Sequence, residues 1–441
     1  MFEKIQKILK NKEIRKKLIE ILLLLIVFRI LSHIPIPGIN LSNLKTLFEQ
    51  SQLLGVLNML SGSGLKNFSI VALGVGPYIT ASIIVQLLSI IIPSLERMTE
   101  EGEQGYKKIE QITRILTVPF AILQGYATLV LLRTSGYKVI SDYSLSSIIS
   151  MLIILTAGTM ITVWIGEIIS EKKIGNGMSW IIFAGIIASF LSTISRFIIT
   201  FDPSQAMNAL LYLALGIALI FFVVYVTEAQ RNIPIIYARQ YKDGKSFGNN
   251  MSYLPIRVNQ VGMVPIIFAA SVAVIPNILL QYLSKSNHAS GISNILYKGA
   301  VFLSGDIAYS VFYFLLIILF TYFYTSIIFK ADKVAENLNK QGAYIPGVRP
   351  GKETEDYLNN ISNKLVFAGS MFLALVAIVP NIMSKIFGIS SIMSGSSLLI
   401  VVGVVIETVK ESEAYAMQND YEDKYADYSF IKKQNNKVAP K

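Results

Sequence analysis

The chain has 441 residues, of which 53% are hydrophobic and 15% charged, and it carries a formal charge of +11. Soluble domains carry roughly 25% charge, so this composition excludes an ordinary globular protein and indicates a polytopic membrane protein. There is no cysteine and the two histidines, His33 and His288, lie far apart, which excludes disulfides and thiolate chemistry and argues against a His-rich metal site or a His-based triad.

A membrane span takes about 20 apolar residues. Residues 1–17 form a basic N-terminal segment, expected on the cytoplasmic side. The first span, 18–35, contains Arg29 and no small-residue cleavage site follows it, so it reads as a retained helix rather than a signal peptide. The run at 41–60 is too short and too interrupted to span. At 58–69 stands "NMLSGSGLKNFS", whose two glycines, three serines, two asparagines and one lysine break an otherwise apolar neighbourhood. Nine further spans are expected at 71–93, 115–133, 146–167, 178–199, 206–227, 260–283, 302–329, 366–384 and 394–409. The second carries "GVGP" near its start, the fifth opens on "GNGMSW" and the tenth follows "SGSS".

The segments sharing the N-terminal side hold 30 Lys/Arg and the opposite side holds 8. By the positive-inside rule both termini are expected in the cytoplasm. Much of the net charge is therefore a topology signal, with attraction to anionic membrane lipids added. Two cytoplasmic loops, 228–259 and 330–365, are long for simple connections and indicate a docking partner. The alternation in "RNIPIIYAR" (231–239) fits a hairpin. The tail, 411–441, is charged and aromatic and is expected to lack fixed structure beyond about Tyr421.

Catalytic signatures are missing. "DGKS" (243–246) resembles the end of a phosphate-binding loop, but Arg239 occupies the required upstream glycine position. No H-E-x-x-H occurs and no aspartate lies in mid-span, so neither a catalytic residue nor a cofactor is expected. A secondary transporter of a small solute is the alternative reading, since glycine-broken spans occur in transporters. Such pathways normally carry buried ionisable groups. Here only Arg29 lies well inside a span, while Glu167, Glu228 and Glu407 fall at cytoplasmic ends.

Six motifs, "IVFRILSHIPIPGI" (26–39), "NMLSGSGLKNFSIVALGVGPYITASIIVQLL" (58–88), "EKKIGNGMSWIIFAGI" (171–186), "QRNIPIIYARQ" (230–240), "GAYIPGVRPGKETEDYL" (342–358) and "GSSLLIVVGVVIE" (395–407), resemble in order those of the SecY family, the channel subunits of the bacterial protein translocon. The resemblance runs from about Lys17 to Lys410. It implies an all-α fold of ten transmembrane helices in two pseudo-symmetric five-helix halves, 18–200 and 201–410, which form a clamshell around a central pore. It implies a passive conduit for unfolded secretory chains that releases apolar segments sideways into the bilayer.

Carried over by motif, the pore ring is Val75, Ile79, Met178, Ile182, Ile267 and Ile400. Val75 and Met178 stand where the family usually has isoleucine. The plug, about 53–67, includes Asn58, Met59, Leu60, Ser61, Gly62, Ser63, Gly64 and Leu65, with hinges expected at Gly62 and Gly64. Thr80, Gln86, Gln124 and Asn259 are the polar residues expected at the lateral gate. Arg239, Lys242, Lys245 and Arg349 are expected to dock the ATPase SecA or the ribosome, including its RNA. Ser246 follows Lys245 where relatives carry a second basic residue. Further implied partners are SecE, SecG, signal sequences and nascent polypeptides. The implied location is the bacterial inner membrane, with a plastid thylakoid as second choice.

Overall fold

The computed structural model describes residues 11–50, 64–134, 139–140, 142–199, 206–237, 251–273, 276, 291–387 and 394–438. In chain order the elements are α1 (Lys12–Leu31), α2 (Leu41–Gln50), a 3-10 turn at Leu65–Asn67, α3 (Gly76–Ile91), α4 (Pro93–Glu100), α5 (Glu103–Thr134), α6 (Leu145–Glu171), α7 (Gly177–Ile199) and α8 (Ala206–Glu228). There follow β1 (Gln230–Tyr237), β2 (Met251–Arg257), α9 (Val264–Ala273), α10 (Gly291–Ser304), α11 (Asp306–Ile328), α12 (Ala331–Lys340), β3 (Ala343–Tyr344), α13 (Lys352–Phe387) and α14 (Gly395–Val438).

Each of the ten expected spans holds one of these helices. Among the described residues, α5, α6, α7, α8, α11 running on into α12, and α13 are long and apolar enough to cross a membrane. A seventh is added if α3 and α4, bent by 107° at their junction, count as one span. The bend has a local cause. Pro93 opens α4 and Ile92 before it is extended, at φ −100 and ψ 109, as a residue preceding proline prefers. The remaining helices fall short for reasons visible in the chain. α1 opens on "KEIRKK", the described part of α9 has ten residues, and α14 meets Glu407, Lys410 and Glu411 soon after its apolar start.

Several boundaries differ from expectation. α3 begins at Gly76 rather than at residue 71, because 71–75 forms turns with Gly74 at φ +54. α13 begins at Lys352, inside the expected 330–365 loop. The tail corrects the sequence reading most: α14 continues as helix to Val438. No glycine or proline lies between Gly403 and Pro440, so nothing local stops the helix.

The chain divides into two units, Met1–Leu191 with Val404–Lys441, and Ser192–Gly403. In the first, α3 packs on α5 and α5 on α6. Ser144 caps α6 by accepting from Ser147 N–H, and Ser144 donates in turn to Asp142 through both its amide and its hydroxyl. Those two donors hold the Asp142 carboxyl below the usual aspartate range. In the second unit, α11 packs against α9 and α13, and a small antiparallel sheet in the order β2-β1-β3 lies beside α12.

Candidate functional site

The segment after "NMLSGS" is closely packed. Leu65 and Phe68 are buried in a core with Ile36, Leu44, Leu73, Ala121 and Leu155. Phe68 has φ 41, a left-handed conformation costing about 1–3 kcal/mol for a non-glycine residue. Removing a fully buried Phe ring costs about 3–5 kcal/mol, so burial outweighs the strain. Two backbone bonds tie the segment to the end of α1: Ile36 N–H to Phe68 O and Ile70 N–H to Ile34 O, both 3.0 Å. Asn67 donates a hydrogen bond from its side-chain Nδ2 to Ser32 O at 3.4 Å. Gly64 has φ −74, an ordinary helical value. Its hydrogen side chain is needed for space, because a Cβ there would lie 2.8 Å from Val71 O. Asn58 to Ser63 of the expected plug, Gly62 included, fall outside the described residues; Gly64 and Leu65 form its packed end.

Val75, the N-cap residue of α3, is fully buried, and its carbonyl accepts from Ile79 N–H at 3.0 Å. Val75 and Ile79 therefore share a face one helical turn apart, with Ile79 half-buried. Met178 and Ile182 repeat that spacing on α7. Ile182 is 2% exposed, whereas Met178 turns its sulfur onto α6, so close that a Cβ on Gly166 would meet it at 2.6 Å. Ile186, one turn beyond Ile182 and equally buried, continues the stripe; the reading by motif missed it, although its spacing was visible in "IIFAGI".

The turn that starts α7 explains "KKIGNG". Lys173 (φ 58) and Gly175 (φ 78) take left-handed backbone. Asn176 then caps α7, its side-chain oxygen accepting from Met178 N–H at 2.9 Å. Gly177 must be glycine, since a Cβ there would fall 1.8 Å from Gly166 O.

Two of the expected gate residues meet. Gln124 on α5 donates Nε2 to Thr80 Oγ1 on α3 at 3.0 Å, and Thr80 donates to Gly76 O within its own helix. Gln86 does not reach across; it donates to Ser82 on its own helix at 3.3 Å. In the second unit Asn259 buries its side-chain oxygen without a hydrogen-bond partner among the described residues. Its neighbour Gln260 pairs with Ser362 of α13 at 3.3 Å.

Ile267 and Ile400 are both buried in the second unit. The start of α14 lies so near α13 that a Cβ on Gly395 would come within 2.1 Å of Val376 O. The two long loops, expected as separate docking elements, join. The hairpin predicted from "RNIPIIYAR" is present, with Ile233 facing Leu254. β1 then also pairs with β3, Ile236 opposite Tyr344. Ile233, Ile256, Ala331, Ile345 and Leu358 make a common core beneath. Arg349 leaves this unit at a turn between Gly347 (φ 82) and Gly351 (φ 100). Its side chain is 87% exposed, 3.9 Å from Glu353, so the guanidinium is presented outward. Arg239, Lys242 and Lys245 lie outside the described residues. Among those described, no group of acidic, histidine or cysteine side chains could hold a metal.

These features have counterparts in known proteins. The family model described as SecY matches residues 69–409. A protein translocase subunit SecY from Streptomyces galbus is 39% identical over 94% of this chain and 97% of its own. The subunit of the same name from Aquifex aeolicus is 39% identical over 96% and 99%. Among solved structures, one described as a protein conducting channel superposes with TM-score 0.60 at 17% identity, covering 89% of this chain and 90% of the other. A second, concerned with the plug domain of a SecY protein, gives 0.60 at 19%, covering 88% and 90%. A Sec61 from a canine ribosome-channel complex gives 0.58 at 17%, covering 89% and 90%.

Proposed function

The chain belongs to the SecY family, and from that premise we propose how its residues conduct a polypeptide. It is a multi-pass membrane protein and a protein-conducting channel that passes unfolded secretory chains across the membrane and releases transmembrane segments into the bilayer. The transporter alternative has no support.

The aliphatic side chains of Val75, Ile79, Met178, Ile182, Ile267 and Ile400 supply the constriction. A narrow apolar waist dewets and excludes ions, yet makes no hydrogen-bond demand on a passing chain. The segment 53–67 is the plug, and the packed turn at Leu65–Phe68 is its fixed end. The Thr80–Gln124 bond joins α3 to α5 within the first half, on helices proposed to line the gate. Interhelical hydrogen bonds in membranes average about 0.6 kcal/mol, so a signal helix can displace it. The sheet unit presents Arg349 to the motor SecA or to the ribosome, where a planar guanidinium fork suits carboxylates and phosphates. SecE and SecG complete the complex in the bacterial inner membrane, with both termini cytoplasmic. The chain itself carries no catalysis; the energy comes from the ribosome, from ATP hydrolysis by SecA or from the proton-motive force.

The observation that carries this reading is the run of six SecY motifs in family order, with the SecY family model matching residues 69–409. Liposomes holding the chain with SecE test it: addition of SecA and ATP should protect a preprotein from external protease. Absent protection beside saturable uptake of a small solute would overturn it.

A further inference from the structure

α14 does not end where its apolar residues do, and its continuation reaches the turn that starts α7. Glu411 accepts a hydrogen bond from the Gly175 N–H through Oε2. One helical turn earlier, Thr408 stands against the same glycine, where a Cβ would come within 3.1 Å of its hydroxyl. One turn later, Tyr415 donates its hydroxyl to Glu13 of α1 at 3.3 Å, and its ring receives the Lys17 ammonium 3.6 Å from its centroid. The turn is gripped from α7 as well. Trp180 Nε1 donates to Ile174 O at 3.1 Å, and Ile174 is fully buried. Every one of these residues belongs to the first unit.

The turn 172–176 is held at three successive residues, Ile174, Gly175 and Asn176, the last of which is already the cap of α7. Ile182 follows within two helical turns. A shift of the turn along the helix axis therefore shifts Ile182 with it. A bond between a carboxylate and a backbone N–H is stronger than one between neutral groups.

We infer that Glu411 is a positioning residue for the channel seal: its carboxylate anchors the 172–176 turn to α14 and so sets the height of Ile182. The inference rests on the assignment of Ile182 to the ring. It also connects the seal to α1 and to the extension of α14, so a ligand that moves either helix moves the seal.

The test compares resting ion conductance of the full-length channel in planar bilayers for the parent, Glu411→Ala, Glu411→Gln and Ile182→Gly, with the unfolding temperature of each. Glu411→Ala should raise resting conductance about tenfold, the scale expected when a charged hydrogen bond favouring the closed state is lost. Glu411→Gln keeps an acceptor and should return conductance toward the parent. If Glu411→Ala does not assemble, Glu411→Asp replaces it, because withdrawing the carboxylate by one methylene should produce the same rise. A lowered unfolding temperature with parental conductance would reduce Glu411 to a structural role and overturn the inference, as would equal leaks from Ala and Gln. Leak from Ile182→Gly alone removes the inference and leaves the ring intact. No leak from Ile182→Gly removes the ring assignment and the inference together.

Discussion

Gly158 sits in the middle of α6, where a Cβ would fall 1.9 Å from the carbonyl oxygen of Ile70. The segment around Ile70 thus rests directly on the backbone of α6. Gly216, in the middle of α8, has nothing within 4 Å of its Cβ position. Both glycines stand within apolar runs, and hydropathy does not tell them apart. The difference comes from a partner some 90 residues away in one case and from open space in the other. Gly158→Ala should destabilise the protein by about 1–3 kcal/mol through overpacking. Gly216→Ala should be neutral or stabilising by up to about 1 kcal/mol, from helix propensity. Thermal unfolding in detergent checks both; the same sign of shift for the two variants would contradict the packing. The same contrast applies to the site. Val75, Ile79 and Ile182 are proposed for the ring because they lie inside long motifs. No motif points to Glu411, whose partner is the amide of Gly175, 236 positions earlier.

At the scale of elements, hydrophobic runs located a helix for every expected span, and alternation located the β1–β2 hairpin. Three things escaped. β3 has two residues, too few for any alternation to register. Its pairing with β1 depends on a core shared with α12 and α13, which no local pattern reveals. Helices that pass from apolar into polar sequence, such as α13 and α14, were cut at the change in hydropathy, although helical backbone bonds continue across it. The joined sheet makes its own prediction. Ile233 lies 2% exposed beneath both loops, and Ile233→Ala should cost about 2–5 kcal/mol locally. Hydrogen exchange should then accelerate in both 230–237 and 343–358. Acceleration in the first stretch alone would show that the two loops are energetically separate.

For the whole molecule, the high apolar content and low charge indicated a polytopic membrane protein, and the fold is that of the SecY and Sec61 channels. The features proposed to distinguish a protein channel from a solute transporter are apolar ring positions, a broken segment with a packed end, and a sheet that exposes an arginine. They use common residue types, so composition and periodicity could not identify them without the motifs. In this account the channel is passive, and its closed state depends on aliphatic side chains rather than on charge. That claim is tested most directly by the resting ion conductance of the purified channel in planar bilayers after Ile79→Gly and Ile182→Gly together. The account predicts a clear rise in conductance with no partner or substrate added. Conductance equal to that of the parent, from a protein that remains folded, would contradict it.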